Sequence, residues 1–176
     1  MIHDIVIYPD PRLKLISEEV TAFDAELHAL LDDMYETMVT KNGVGLAAIQ
    51  IGVTRRVLII NVPIENDEGE PVEQPRDNTL EIINPVITYR SDETVKFQEG
   101  CLSVPGVYED IERHAMVTIE YQDRHGEKFV IEDDEFLAIA LQHEIDHLDG
   151  KLFIEKLSFT KRKKFEKEWK KRDKKK

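Results

Sequence analysis

An α+β fold is what this sequence predicts, and two observations carry the prediction. Segments of strand character come in blocks and do not alternate with helices, so no βαβ rhythm appears. Self-similarity at periods of about 20 to 50 residues is also missing, which excludes a solenoid. At 176 residues the chain is one domain with room for a tail, long enough to bury a core without disulfides.

The elements come in this order. Ile5 to Tyr8 reads as a short strand, ended by Pro9 and Pro11. Asp24 to about Lys41 reads as a helix, with Leu27, Leu30, Leu31, Met34 and Met38 on one apolar stripe that faces a core. Asn42 and Gly43 suit its left-handed C-terminal cap. Taken alone, GVGLAAIQ (43–50) is a tight turn between helix and strand. It is neither GxGxxG nor a P-loop, since position 48 is Ala and no GK[ST] follows. Arg56 to Asn61 is a buried strand. Residues 62–79 are acidic, carry Pro63, Gly69, Pro71 and Pro75, and read as a solvated loop. Strands are expected at Leu80 to Arg90, Thr94 to Gln98, Arg113 to Tyr121 and Lys128 to Ile131, the last two joined by a turn at 123–126. Asp133 or Asp134 can cap a helix that runs to about Leu148 and stops at Gly150. A final helix starts after Ser158 or Thr160.

Composition narrows the class. Hydrophobic residues make up 41% and charged residues 34%, the balance of a globular protein with a charged surface. No apolar run approaches the roughly 18 to 20 residues of a membrane span, and the first residues lack a signal-peptide pattern. A cytoplasmic protein without membrane contact is expected. Cys101 is the single cysteine, so an internal disulfide is excluded; a lone thiol suits a reducing compartment. The net charge is -12, unevenly spread: residues 151–176 hold 13 basic and 4 acidic side chains. The acidic body does not look like a nucleic-acid surface, whereas the basic tail alone could be one.

Chemistry concentrates in His143-Glu144-Ile145-Asp146-His147, an HExxH on an expected helix. At i and i+4 the two imidazoles share a face and can grip one metal ion. Glu144, about 100° around the helix, is badly placed as a third ligand and well placed as a base. Chance produces this pentapeptide in about 2% of chains of such composition, so alone it is only suggestive. Catalytic sites of this type take a third protein ligand and keep one position open. No histidine follows His147. Cys101, in the Gly-flanked turn Glu99-Gly100-Cys101-Leu102-Ser103, is the chemical choice, because a thiolate is a strong ligand. The other histidines and the many carboxylates stay open as alternatives, as does a purely structural role for Cys101.

In this order, GVGLAAIQ (43–50), EGCLS (99–103) and QHEIDH (142–147) resemble the three motifs of the peptide deformylase family. The downstream LFIEKLS and the basic C-terminal helix resemble its bacterial form, so the likeness covers nearly the whole chain. It replaces the plain-turn reading of GVGLAAIQ. The resemblance implies antiparallel or mixed sheets around a central metal-binding HExxH helix, with an N-terminal helix and a basic C-terminal one. Residues 1–157 would form the catalytic domain and 158–176 the appended helix or tail.

The resemblance also implies the site. Cys101, His143 and His147 are the metal ligands, for one divalent ion that in the family is usually Fe(II) and can be zinc, nickel or cobalt. Glu144 is the general base and acid. Gln50 and the backbone N–H of Leu102 hold the oxyanion. The substrate is an N-formylmethionyl nascent polypeptide, paired as an added strand beside Val44, Gly45 and Gly100. Val44, Phe136, Ile139 and Ala140 are candidates for the methionine wall; at helical spacing the last three also read as ordinary core. Glu99 is expected as an acid supporting the site, with Arg113 as its partner and Gln142 and Asp146 in supporting places. Many bacterial relatives carry basic residues soon after EGCLS, where this chain has Pro105-Gly106-Val107-Tyr108-Glu109-Asp110. The departure touches preference beyond the first substrate residue and leaves the catalytic set intact.

Two competing readings are an HExxH metallopeptidase and a ribosome-associated binding module. The first wants a downstream third ligand; the second has no use for a base beside a metal. The tail TKRKKFEKEWKKRDKKK has only Phe165 and Trp169 as large apolar residues, a seam expected to be too narrow for a core element. It reads either as a solvated end or as a basic helix laid on ribosomal RNA.

Overall fold

The computed structural model describes residues 1–175; Lys176, the last residue of the expected tail, lies outside them. In chain order the described residues form α1 (Ala25–Thr40), β1 (Gly45–Ala47), β2 (Val57–Ile60), β3 (Ile64–Glu65), β4 (Pro71–Glu73), β5 (Leu80–Arg90), β6 (Thr94–Cys101), β7 (Val104–His114), β8 (Val117–Gln122), β9 (Lys128–Asp133), α2 (Phe136–Leu148) and α3 (Phe159–Asp173). One antiparallel sheet has the order β1-β2-β5-β8-β9, β3 pairs β4, and β6 pairs β7. The fold is thus mixed α+β, with three helices and antiparallel sheets among the described residues.

Strand β2 shows how the layers are fixed. All four of its residues are buried, and the strand period of two sends them to opposite faces. Val57 and Ile59 pack with Leu27, Leu31, Met34 and Met38 of α1. Leu58 and Ile60 pack with Ala138, Leu141, Ile145 and Leu148 of α2. The sheet is therefore sandwiched between α1 and α2. Helix α1 follows its apolar stripe, is capped where Leu27 N–H donates to the Asp24 carboxylate at 3.1 Å, and ends at Asn42 with φ 58°.

A third apolar cluster joins Val6, Leu13, Val104, Ile111, Phe153, Ile154, Phe165 and Trp169. Here the structure corrects an expectation. The narrow Phe165/Trp169 seam suffices to dock α3, because Tyr8 meets both rings, at 5.5 and 5.7 Å between centroids. Two aromatic residues bury enough area to hold one helix face. The N-cap is Ser158, whose hydroxyl accepts from Lys161 N–H at 3.4 Å.

Three other details differ from the sequence reading. Ile5 to Tyr8 pairs with no strand; it is an extended arm, with Val6 N–H donating to Gln50 O at 2.7 Å and Tyr8 N–H to Ser103 O at 2.8 Å. The arm thereby ties together two segments that carry expected site residues. Residues 62–79 are solvated but hold the β3–β4 ribbon. Strand β7 runs eleven residues from Val104 to His114, where a strand was expected only from Arg113, and the expected strand Arg113 to Tyr121 is divided between β7 and β8. Pro105 and Gly106 lie where the β6–β7 register shifts, between the pairs Cys101↔Val104 and Glu99↔Glu109, and Gly106 has φ 77°.

Candidate metal centre and substrate cleft

Helix α2 starts where the Asp133 carboxylate accepts from Glu135 N–H at 3.0 Å and Ala138 N–H at 2.8 Å. Its apolar stripe locks on the sheet, which turns His143, Glu144 and His147 toward the β6–β7 hairpin, all three buried. Cys101 stands at the end of β6, one pair from the Leu102-Ser103 turn. One ligand atom from each of Cys101, His143 and His147 lies within 4.8 Å of the others. Cys101 Sγ is 3.3 Å from His147 Nε2.

The hydrogen bonds around this trio fix its orientation. His143 Nδ1 is 2.8 Å from Glu99 Oε1, which leaves Nε2 turned toward Cys101 and Glu144, 4.0 Å from Glu144 Oε1. Arg113 donates to both oxygens of Glu99, at 2.5 and 2.8 Å, and to Asp146 at 2.9 Å. With side chains 2% and 5% exposed, Arg113 and Glu99 form a buried pair whose charges need each other. Burial alone would raise the Glu99 carboxyl, but the hydrogen bonds from His143 and Arg113 outweigh it and hold it below the usual range. Gln142 is buried as well: its amide donates to His114 O at 2.9 Å and Ala138 O at 3.0 Å, and accepts from His114 N–H at 3.2 Å. It pins α2 to the end of β7 and does not face solvent.

This donor set fits a divalent metal. A thiol with two imidazoles suits ions of borderline softness, and a carboxylate on the far nitrogen of a ligating histidine sets its tautomer and basicity. Glu144 Oε2 and His147 Nδ1 are buried with no protein partner. Burial pushes the Glu144 carboxyl up to about 7, in the range of a group that exchanges protons near neutrality. Burial disfavours charge on His143, yet Cys101 and Glu99 outweigh it and raise its pKa. His147 moves the other way: burial and the nearby His143 and Arg113 charges hold its pKa well below the usual histidine value.

Gln50 sits on the helical turn Ala48–Ile51, 1% exposed. Ala47 N–H donates to its Oε1 at 3.0 Å, and its Nε2 donates to Ser103 Oγ at 3.1 Å and faces Cys101 Sγ at 3.5 Å. The amide is therefore oriented with N–H toward Cys101. Ser103, which fixes this orientation, was given no role from sequence; its place in EGCLS, two residues after Cys101, is the signal that pointed to it. Gly45 is required by contact: a methyl group built on it would meet Glu144 Oε1 at 2.7 Å. The backbone of β1 thus lies directly against the Glu144 carboxylate.

A cavity of about 410 Å³ opens beside these groups, lined by Val44, Gly45, Gln50, Gly100, Cys101, Leu102, Phe136, Ile139, Ala140, His143 and Glu144. Every expected ligand, catalytic or substrate-contacting residue except His147 lines it; His147 lies behind, 1% exposed. Phe97 and Tyr108, unassigned from sequence, also line the cavity, and Phe97 meets Phe136 with ring centroids 5.6 Å apart.

The family described as Polypeptide deformylase matches residues 2–163. The chain belongs to this family. A peptide deformylase of Wolinella succinogenes is 58% identical over 168 residues, 96% of this chain and 95% of the relative. One of Campylobacter jejuni is 54% identical over 174 residues, 99% of this chain and 97% of the relative. A crystal structure of peptide deformylase from Ehrlichia chaffeensis superposes with a TM-score of 0.87 at 43% identity, covering 99% of this chain and 98% of that one. Deformylases are metal-dependent hydrolases, and no helix among the described residues is long and apolar enough to cross a membrane.

Proposed function

We propose that this chain hydrolyses the formamide at the N-terminus of N-formylmethionyl polypeptides, releasing formate and a free amine. The observation that carries the reading is the buried convergence of Cys101, His143 and His147 beside the unpartnered carboxylate of Glu144. Helix α2 is then the central metal-binding HExxH helix, and residues 1–157 are the catalytic domain.

Cys101, His143 and His147 would hold one divalent ion, Fe(II) by family habit, with zinc, nickel or cobalt as substitutes. When bound, it supplies a Lewis acid and makes water more acidic. Glu144 takes the proton of the attacking water and returns it to the departing nitrogen, so water adds to the formyl carbon as the C–N bond breaks. Its raised pKa suits both directions of transfer. Gln50 N–H, anchored through Ser103 and Ala47, and the backbone N–H of Leu102 donate to the developing oxyanion. Val44, Gly45 and Gly100 offer backbone to an extended substrate. Phe136, Ile139 and Ala140 form the wall for the methionine side chain.

The remaining proposal is one of place. The protein works in the cytoplasm, where formylated chains emerge, and α3 presents exposed Lys164, Lys167, Lys170 and Lys171 to the phosphates of the ribosome. Anaerobic purification, metal analysis and an assay of formate release from formyl-Met-Ala test the reading. About one metal per chain and formate release are expected. Folded protein that carries metal and releases no formate would overturn it.

A further inference from the structure

The last turn of α3 reaches the rim of the cleft. Arg172 donates to the carbonyl oxygen of Pro105. Its guanidinium lies over the Trp169 ring, 5.0 Å from the centroid, and Trp169 is itself buried against Tyr8. The cation is thus held by a fixed aromatic face and does not swing on a free stem. Gly106 makes the approach possible: a methyl group there would come within 3.1 Å of the guanidinium.

Pro105 and Gly106 both line the cleft. Two residues on, Tyr108 lies across Gly100 so closely that a methyl group on Gly100 would meet the ring at 2.6 Å. Tyr108 is 66% exposed, so this wall stands at the mouth. The stretch from Pro105 to Tyr108 therefore touches the tail at one end and Gly100 at the other. No Lys or Arg lines the cleft among the described residues, and the family match ends at residue 163, before Trp169 and Arg172.

We infer that Arg172 is a positioning residue for the substrate: by clamping the Pro105–Gly106 rim it fixes the wall along which the second and later residues of a formylated chain run. The inference rests on the deformylase reading above. In that reading the formyl group and the methionine side chain are received by Glu144, Gln50 and the Phe136–Ile139–Ala140 wall, so the rim bears on the substrate residues beyond the methionine. A rim that is held still spares a longer substrate the cost of ordering it.

The test compares Arg172→Ala, Arg172→Lys and the unaltered protein on formyl-Met-Ala and formyl-Met-Ala-Ser-Ala, with KM and kcat measured for each. In Arg172→Ala the KM of the longer peptide relative to the shorter should rise about fivefold, the scale of one lost hydrogen bond, with the ratio of the two kcat values constant. Arg172→Lys keeps an N–H donor of nearly the same reach for Pro105 O, and should recover at least half of that rise. Equal KM changes for both peptides, no change, or no recovery in Arg172→Lys would overturn the clamp. Failure of the unaltered protein to release formate from either peptide is a separate outcome, which removes the deformylase reading and this inference with it.

Discussion

Helices α2 and α3 put similar lengths of chain to opposite use. Nine of the thirteen residues of α2 are buried, and four of those nine are Gln142, His143, Glu144 and His147. Two of the fifteen residues of α3 are buried, both aromatic. In α2 the polar side chains lie where water is excluded, so each needs a partner within the protein or a bound ion. In α3 the charges remain in water and only the seam touches the body. The same residue types therefore differ in consequence according to the face on which they fall.

The largest break in that contrast should come from Arg113→Ala. It leaves Glu99 buried against His143 without its counter-charge, and the loss of one partner of a buried pair typically costs about 3–5 kcal/mol. Denaturant unfolding of the metal-free protein would measure it; a change below about 1 kcal/mol would show that water reaches Glu99.

On the other helix, Trp169→Ala should cost about 3 kcal/mol, as for other buried aromatics, despite the charge of its surroundings. Trp169→Phe should recover most of the loss, because the buried indole N–H has no partner to lose. Thermal unfolding of the two variants side by side checks both statements. Removing residues 160–176 outright would uncover the cluster around Phe153, so the charge of the tail is better altered than cut.

Glu144→Gln keeps shape and charge-free volume but removes the base. Formate release should fall at least about 10²-fold with metal content retained. Near-normal turnover would mean that the proton travels by another group. The smallest effect on the fold is expected from Lys164, Lys167, Lys170 and Lys171 changed together to Gln. Each should shift stability by less than about 0.5 kcal/mol, while affinity for ribosomes and its dependence on salt both fall. Unaltered ribosome binding would leave α3 as a solubilising helix.

Much of this architecture was legible in the sequence where one physical signal dominated. The α1 stripe and the i, i+4 histidines each depend on a local period. Ligand chemistry picked out Cys101 and motif order added the role of Gln50, neither of which a period could find. What stayed hidden depended on packing between distant segments. Most of β7 went unassigned because its strand character comes from pairing with β6, which the sequence of 104–112 does not display. Asn84, at φ 52° inside β5, uses its side chain to pair with Val20 in place of a strand, accepting from Val20 N–H and donating to Val20 O, each at 2.8 Å. The docking of α3 was missed because the seam was judged by its own width, and nothing in the sequence shows that Tyr8 meets both of its rings.

Gln50 lies 51 residues from Cys101, and Cys101 lies 46 residues from His147. Contacts of that separation form only after the chain has met the entropy of closing long loops. The thiol, the amide and the imidazoles therefore face one another only in a chain whose strands Val57 to Ile60 and Leu80 to Arg90 are paired and whose helix α2 is packed on them. The assembled trio is thus a marker of the finished fold.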